Sequence, residues 1–273
     1  MFFLFAFGIT AIFFAGCLFL LHYGRQLGLS YLRKHGGNTM PGFPTIEGAV
    51  FALIGLLLAF TIAGALQRYD ERRQLVVQEA TALSTAHDRL GLFERQARDL
   101  QNRLKEYTRA RIDLYRMPHD FSLWELAELW PREQQLKILE LKNKLWNATA
   151  AACPESNYHP ACALALTALG NAFEAARLRL GAAEKHPPQI VYLMLFALGL
   201  GGSLLAGFGM AAAPSPSWIH MVIFAGTMAL TLYVVTDMEF PRLGLLRIEY
   251  FDHFLVDAYD QMDDRTALVL YHH

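Results

Sequence analysis

Four apolar stretches constrain this chain more than any other feature, because each is about the length a helix needs to cross a bilayer. Phe2 to Leu21, Gly48 to Leu66, Gln189 to Met210 and Trp218 to Thr236 hold no Asp, Glu, Lys or Arg. About 20 such residues cover the ~30 Å of a hydrocarbon core. Inside that core every backbone N–H and C=O needs a partner within the protein, which a helix supplies by itself. The first run has no positive charge before it and no small-x-small cleavage site after it, so it reads as a retained transmembrane helix. Ala211 to Ser217, with Pro214 and Pro216, reads as the short loop between the last two spans.

The expected fold is therefore an all-α membrane protein with four transmembrane helices in two hairpins and a helical extramembrane block inserted between them. Residues 1–66 form the first hairpin, 67–188 the block, 189–236 the second hairpin, and 237–273 a turn and an amphipathic C-terminal helix. Composition agrees: 54% of residues are hydrophobic and 18% charged, against roughly 25% charged in soluble domains. The formal net charge is −1 and there is no basic tract, so no nucleic-acid partner is expected. Three cysteines without a CxxC pair exclude a disulfide scaffold and a zinc ribbon.

The inserted block holds 18 of the 24 basic and 16 of the 25 acidic residues. From Val76 a heptad passes through Leu83, Ala86, Leu90, Phe93, Ala97, Leu100, Leu104, Tyr107 and Leu114. That spacing argues a long amphipathic helix in a bundle or coiled coil. With no cap signal after Leu66, the second span is expected to continue into it as one rod of about 50 residues, roughly 75 Å long, stopped by Pro118. Further helices are expected at Phe121 to Trp130, at Glu133 to Ala152 with Leu136, Leu139 and Trp146 on one face, and at Ala163 to Glu184. In the tail, Phe251, Phe254, Leu255, Ala258, Tyr259 and Met262 define one apolar face, suited to the membrane surface or to the block.

The stretch from Glu47 through Gly64, continued by Arg68-Tyr-Asp-Glu-Arg-Arg and on to Leu83, resembles the bacterial bestrophin-like domain family of membrane proteins. The segment Asp237-x-Glu-x-Pro-Arg-x-Gly244 is similar to that family's ending. Thr81, Ser84 and Leu92-Phe93 depart from the family's usual phrasing. The resemblance implies a four-span fold like that of true bestrophins, which are pentameric anion channels. It thus implies a homo-oligomer, possibly a pentamer, whose second span lines a pore.

A passive pore needs no ionisable group within the membrane, whereas pumps and coupled transporters usually carry one. Gly48, Gly55, Thr61 and Gly64 offer small or hydroxylated lining positions, and the glycines serve equally as helix-packing contacts. Glu47 at the mouth of that span would form a carboxylate ring in an oligomer, or simply sit at a helix N-terminus. Arg68, Arg72 and Arg73 are candidates for a basic vestibule, for lipid-phosphate contact or for pairing with Asp70 and Glu71. Membrane lipids are thus expected partners. Cys153 and Cys162 bracket a Pro-rich turn and are a candidate disulfide. Asp237, Glu239, Pro241, Arg242 and Gly244 read as a structural turn in which Arg242 pairs with one of the two acids or with a lipid phosphate.

No catalytic constellation, metal-ligand spacing or cofactor motif is evident, so an enzyme is not expected. The acid-free loop from His22 to Thr45 carries Arg25, Arg33 and Lys34, which by the positive-inside rule places it in the cytoplasm and the block in the periplasm of a bacterial inner membrane. Two functions follow: a homo-oligomeric bestrophin-like ion channel, or a non-conducting membrane scaffold or envelope sensor that binds a partner through the block.

Overall fold

A computed structural model describes residues 2–35, 43–116, 132–155, 159–213, 215, 217–239 and 249–270. Eight α-helices are present among them: α1 Phe2–Lys34, α2 Phe43–Leu90, α3 Ala97–Arg116, α4 Arg132–Ala152, α5 His159–Glu184, α6 Gln189–Gly209, α7 Trp218–Glu239 and α8 His253–Leu270. Short 3-10 turns occupy Cys153–Glu155, Met210–Ala212 and Glu249–Asp252. The helix expected at Phe121 to Trp130 lies outside the described residues, as do Pro241, Arg242 and Gly244. The chain divides into two units, one of residues 1–69 and 186–247, the other of residues 70–185 and 248–273.

In the first unit four helices are long and apolar enough to cross a membrane. Helix α1 continues past Leu21 to Lys34 and runs beside α6 in the same direction, Phe13 meeting Phe196 edge-on at 5.1 Å and Tyr31 lying 6.0 Å from Phe208. Lipid tails are as apolar as leucine, so close backbone packing has to hold such helices together. Glycines provide it. A Cβ on Gly24 would stand 2.2 Å from the Leu204 carbonyl oxygen, and one on Gly207 would stand 2.1 Å from that of Leu21. Gly199 likewise makes room for the Phe13 ring. Around this seam Phe13, Cys17, Leu21, Leu195, Met221, Ala225 and Leu232 form the membrane unit's core.

The second unit is a helical block with its own core. The second span does continue without interruption into the charged region, since α2 is 48 residues long. The single rod through the whole heptad is not observed. Helix α2 ends at Leu90, and Gly91 to Gln96 form successive turns, in which the Leu92 and Phe93 amides bond to Arg89 and Leu90. Helix α3 then folds back along α2, carrying Arg111 to Glu79. Phe93 anchors the turn by being fully buried, and Gly91 gives passage to Gln101, whose Nε2 donates to the His87 carbonyl. The heptad residues from Leu83 to Leu114, Ala97 excepted, still form the core, together with Leu145, Leu169, Leu255, Ala258 and Met262.

Helix α4 carries Leu136, Leu139 and Trp146 on one face, which is the outward one. Leu136, Leu139 and Trp146 are exposed, by 65%, 49% and 39%, whereas Ile138, Leu145, Thr149 and Ala152 turn inward. The neighbouring core is lined by the small face of α5, including Ala161, Ala165 and Ala172, and it accepts the narrower side of α4. Cys153 and Cys162 are joined by a disulfide with their Cα atoms 5.2 Å apart, closing the connection between α4 and α5. Helix α8 lays Leu255, Ala258 and Met262 on the block's core, so the tail's apolar face packs on the block.

Gly207→Ala should lower the midpoint of a thermal melt in detergent, because the new Cβ must push two helix backbones apart at a cost of ~1–3 kcal/mol. Gly48→Ala, where nothing lies within 4 Å, should leave the midpoint unchanged or raise it slightly, since alanine is the better helix former. Equal melts for the two variants would contradict glycine-mediated packing of α1 on α6.

Candidate functional site

The residues considered for a pore are all on α2, but they do not share a face. At 100° per residue, Gly48 and Gly55 lie in line while Thr61 and Gly64 fall roughly opposite. Thr61 is half-buried and donates its hydroxyl to the Leu57 carbonyl at 2.8 Å. The Glu47 carboxylate turns toward the end of α6, its oxygens close over the Gly209 Cα. The Arg68 guanidinium is the nearest neighbour of Gly64. Toward the chain's own core α2 presents Ile54 and Ala65, both buried. The opposite face, made of Gly48, Ala52, Gly55, Leu56, Ala59 and Ala63, is exposed along its whole length. Ala52, Ala59 and Ala63 escaped notice in the sequence, where the 3-4 recurrence of small residues was the signal available.

The three candidate vestibule arginines are engaged. Nε of Arg68 donates to the fully buried Glu239 at 2.7 Å, tying α2 to the end of α7, and His186 Nδ1 stands 3.9 Å from the other carboxylate oxygen. Glu239 is thus bonded to Arg68, 171 positions away; Arg242, the cation suggested from the sequence for Asp237 or Glu239, lies outside the described residues. Its neighbour Asp237 is also buried. Arg72, itself buried, donates to the carbonyls of Ala182 and Lys185 at 3.0 and 2.7 Å. It thereby satisfies acceptors that the C-terminus of α5 leaves without helical partners. Arg73 pairs with Asp70 at 3.2 Å and lies over the Phe251 ring.

Within the block one buried charge cluster gathers four segments. Glu79 of α2 accepts from Arg111 Nε of α3 at 2.7 Å and from Arg179 of α5 at 2.9 Å. Arg179 also pairs with Asp252, just before α8, and stacks its guanidinium on Tyr115 at 3.5 Å. Arg111 further donates to Tyr115 and to the Ala176 carbonyl. Burial opposes ionisation of Glu79, yet the two guanidiniums outweigh it and hold its carboxyl below the usual glutamate range. Burial pushes the nearby Tyr107 phenol upward, so it stays neutral.

A groove of about 1290 Å³ runs between α3, α4 and α5, with the exposed Leu136, Leu139 and Trp146 on one wall. Phe173 forms part of its floor, and Lys142 lies 5.2 Å above that ring. Among the described residues no three His, Cys, Asp or Glu side chains converge as a metal site.

Glu79→Gln should cost ~3–5 kcal/mol by leaving two buried guanidiniums without their counter-charge. Asp252→Asn, at a partly exposed pair, should cost less. Because the folded pKa of Glu79 lies below its unfolded value, its contribution is fully present above the ordinary glutamate range and is lost as pH falls through the depressed folded value. Urea melts across acidic pH should therefore show a flatter stability profile for Glu79→Gln than for the native protein. An unchanged profile would contradict the assignment.

No curated protein matches the chain. Among solved structures, two point variants of a bacterial Bestrophin homolog from Klebsiella pneumoniae align with TM-scores of 0.63 at 14% identity. One alignment covers 90% and the other 89% of this chain, and each covers 98% of the homolog. A third structure, described as a variant of a membrane protein, aligns at TM-score 0.60 and 13% identity over 90% of this chain and 98% of its own. These likenesses establish the fold. The Bestrophin-like domain matches residues 13–250, and with most of its length so matched the chain belongs to the Bestrophin-like domain family.

Proposed function

We propose that the chain assembles into a homo-oligomer, a pentamer by its resemblance to true bestrophins, and conducts ions along a path lined by α2. The observation that carries this reading is the uncovered small-residue face of α2. The most apolar window of that helix is 11% buried, against 22–28% for the other spans. A span without charged lining encloses water only with the help of further copies. Gly48 and Gly55 stand on the uncovered face and are the proposed lining residues. Glu47, Thr61 and Gly64 contribute from the packed side, and Arg68, Arg72 and Arg73 act at the membrane edge through guanidiniums already bonded within the chain.

The same reading puts the protein in a bacterial inner membrane with the block in the periplasm. Two observations support that orientation: the acid-free basic loop after the first span and the disulfide, a bond that persists in oxidising compartments. A non-conducting scaffold is the second reading, and the exposed Leu136, Leu139 and Trp146 along the α4 groove favour it, because apolar patches of that kind mark interaction sites.

Reconstituted into planar bilayers, the purified oligomer should pass unitary currents. Gly55→Leu, placed where a side chain meets open space, should reduce them severalfold, whereas Thr61→Val should change them little. An intact oligomer without current would overturn the channel reading in favour of the scaffold. In freshly prepared membranes, Cys153 and Cys162 should resist alkylation until reduced. Ready alkylation would argue against the periplasmic placement.

A further inference from the structure

A cyclic ring of three or more copies needs two unlike surfaces that fit each other, since it is the head-to-tail contact that closes into such a ring. The helical block carries two surfaces of this kind. One is the groove between α3, α4 and α5, about 1290 Å³ in volume, which exceeds the roughly 300–1,000 Å³ of a small-molecule site. Its exposed wall is the α4 stripe of Leu136, Leu139 and Trp146. From Leu136 to Trp146 the stripe is about 15 Å long at ~1.5 Å per residue, close to three helical turns. The groove thus has the form of a trough for a helix rather than of a cavity for a small ligand.

The trough is positive. Arg132, Lys142 and Arg177 line it beside the acid Glu174, and the remaining cation of the lining, Arg111, is bonded to Glu79. Lys142 lies over the Phe173 ring, Arg177 is exposed, and among the described residues neither has an ion-pair partner. The second surface is the outer side of α8. Leu255, Ala258 and Met262 pack on the block's core, which leaves Phe254, Asp257, Asp260 and Gln261 exposed. Phe254, Asp257 and Gln261 recur at i, i+3 and i+7, and so lie on one line along the helix. No Lys or Arg occurs from His253 to Met262. The α3 cations Lys105 and Arg109 are directed at Tyr259, and among the described residues Asp257 and Asp260 have no ion-pair partner. The block therefore shows an apolar knob with carboxylates on one surface and an apolar trough with unpaired cations on another.

We infer that the outer side of α8 in one copy of the chain lies in the groove between α3, α4 and α5 of the next, with Phe254 against Leu139 and Trp146, and Asp257 and Asp260 against Lys142 and Arg177. The inference rests on the homo-oligomer proposed above and adds which surfaces join its copies. Apolar anchors at the centre of such a contact carry most of its energy. The charges at its rim fix register and exclude the wrong surface, because like charges brought together there are costly. Two α8 surfaces would repel each other, as would two troughs, so the pattern selects the head-to-tail contact that a ring requires. The contact lies wholly within the block and is independent of which α2 residues line a pore.

The test uses the full chain purified in detergent. Two differently tagged versions are co-expressed, one bearing Leu139→Cys and the other Phe254→Cys, and then oxidised with copper phenanthroline. A covalent dimer holding both tags should form, and neither version expressed alone should give one. Lys142→Glu with Arg177→Glu should raise the concentration at which the oligomer dissociates by at least about tenfold, the change that ~1.4 kcal/mol of lost charge pairing gives. Asp257→Lys with Asp260→Lys should do the same. All four changes together should restore the native value, since the pairs re-form with their signs exchanged, and a mere folding defect would not be restored in this way. A stable native oligomer that gives no mixed-tag dimer and ignores both reversals would overturn the docking while leaving the homo-oligomer in place. A native chain that is monomeric throughout would overturn both. Loss of a co-purifying protein in Leu139→Glu, with the oligomer intact, would assign the groove to a foreign partner and overturn the docking as well.

Discussion

A glutamate can be fully buried as a carboxylate only when its charge is met, because isolated burial costs several kcal/mol and would neutralise the group. Glu79 is met by Arg111 and Arg179, and those guanidiniums arrive from helices 32 and 100 positions away in sequence. Neither half of the arrangement is tolerable without the other. An α2–α3 hairpin alone would leave one oxygen of Glu79 without its cation, and α5 alone would carry a bare guanidinium into an apolar core. The cluster therefore specifies which three helices meet and at what depth. Tyr115 is sandwiched against Arg179, and Asp252 pairs with that same arginine, which sets where α8 begins.

The membrane unit reaches specificity by a different route. Hydrophobic burial does not distinguish a helix neighbour from a lipid tail, so the pairing of α1 with α6 depends on backbone approach at Gly24, Gly28 and Gly207 and on room for the Phe13 ring at Gly199. Glu239, a buried acid near the membrane edge, is met by Arg68. Charge thus acts at the end of the spans and glycine along them.

The spans were legible because length and the absence of charge are properties of contiguous residues. The block's core was legible too: Leu83, Leu90, Phe93, Leu100, Leu104 and Leu114 are all essentially inaccessible. What the heptad did not encode is chain direction. A residue facing the core satisfies the same pattern whether the helix continues or doubles back, and only Gly91, a breaker at ~1 kcal/mol relative to alanine, marked the reversal. On α4 the pattern put large residues on one face without saying which face turns inward. Leu136, Leu139 and Trp146 look like core by size, but an alanine-lined neighbour accepts Ile138, Leu145 and Thr149. The ion pairs were illegible for a plainer reason, as nothing local links Glu239 to a cation 171 positions away, and Arg242 was the nearer one. The Gly24-x-x-x-Gly28 spacing, by contrast, was present in the sequence and is a known signal for close helix approach.

Small residues on the uncovered face of α2 carry a cost that argues for a purpose. Gly48 and Gly55 weaken a helix relative to alanine, and against lipid tails they offer fewer dispersion contacts than leucine would. A span whose only neighbour on that side were lipid would gain from larger apolar side chains at both positions, as the same helix shows on its flank at the exposed Leu53 and Phe60. Glycine is advantageous there only where something must come closer than a side chain permits. A helix of another copy and a column of water both meet that condition, and a bilayer does not. The face of α2 that the chain leaves uncovered is therefore better matched to an assembly than to a solitary chain in lipid.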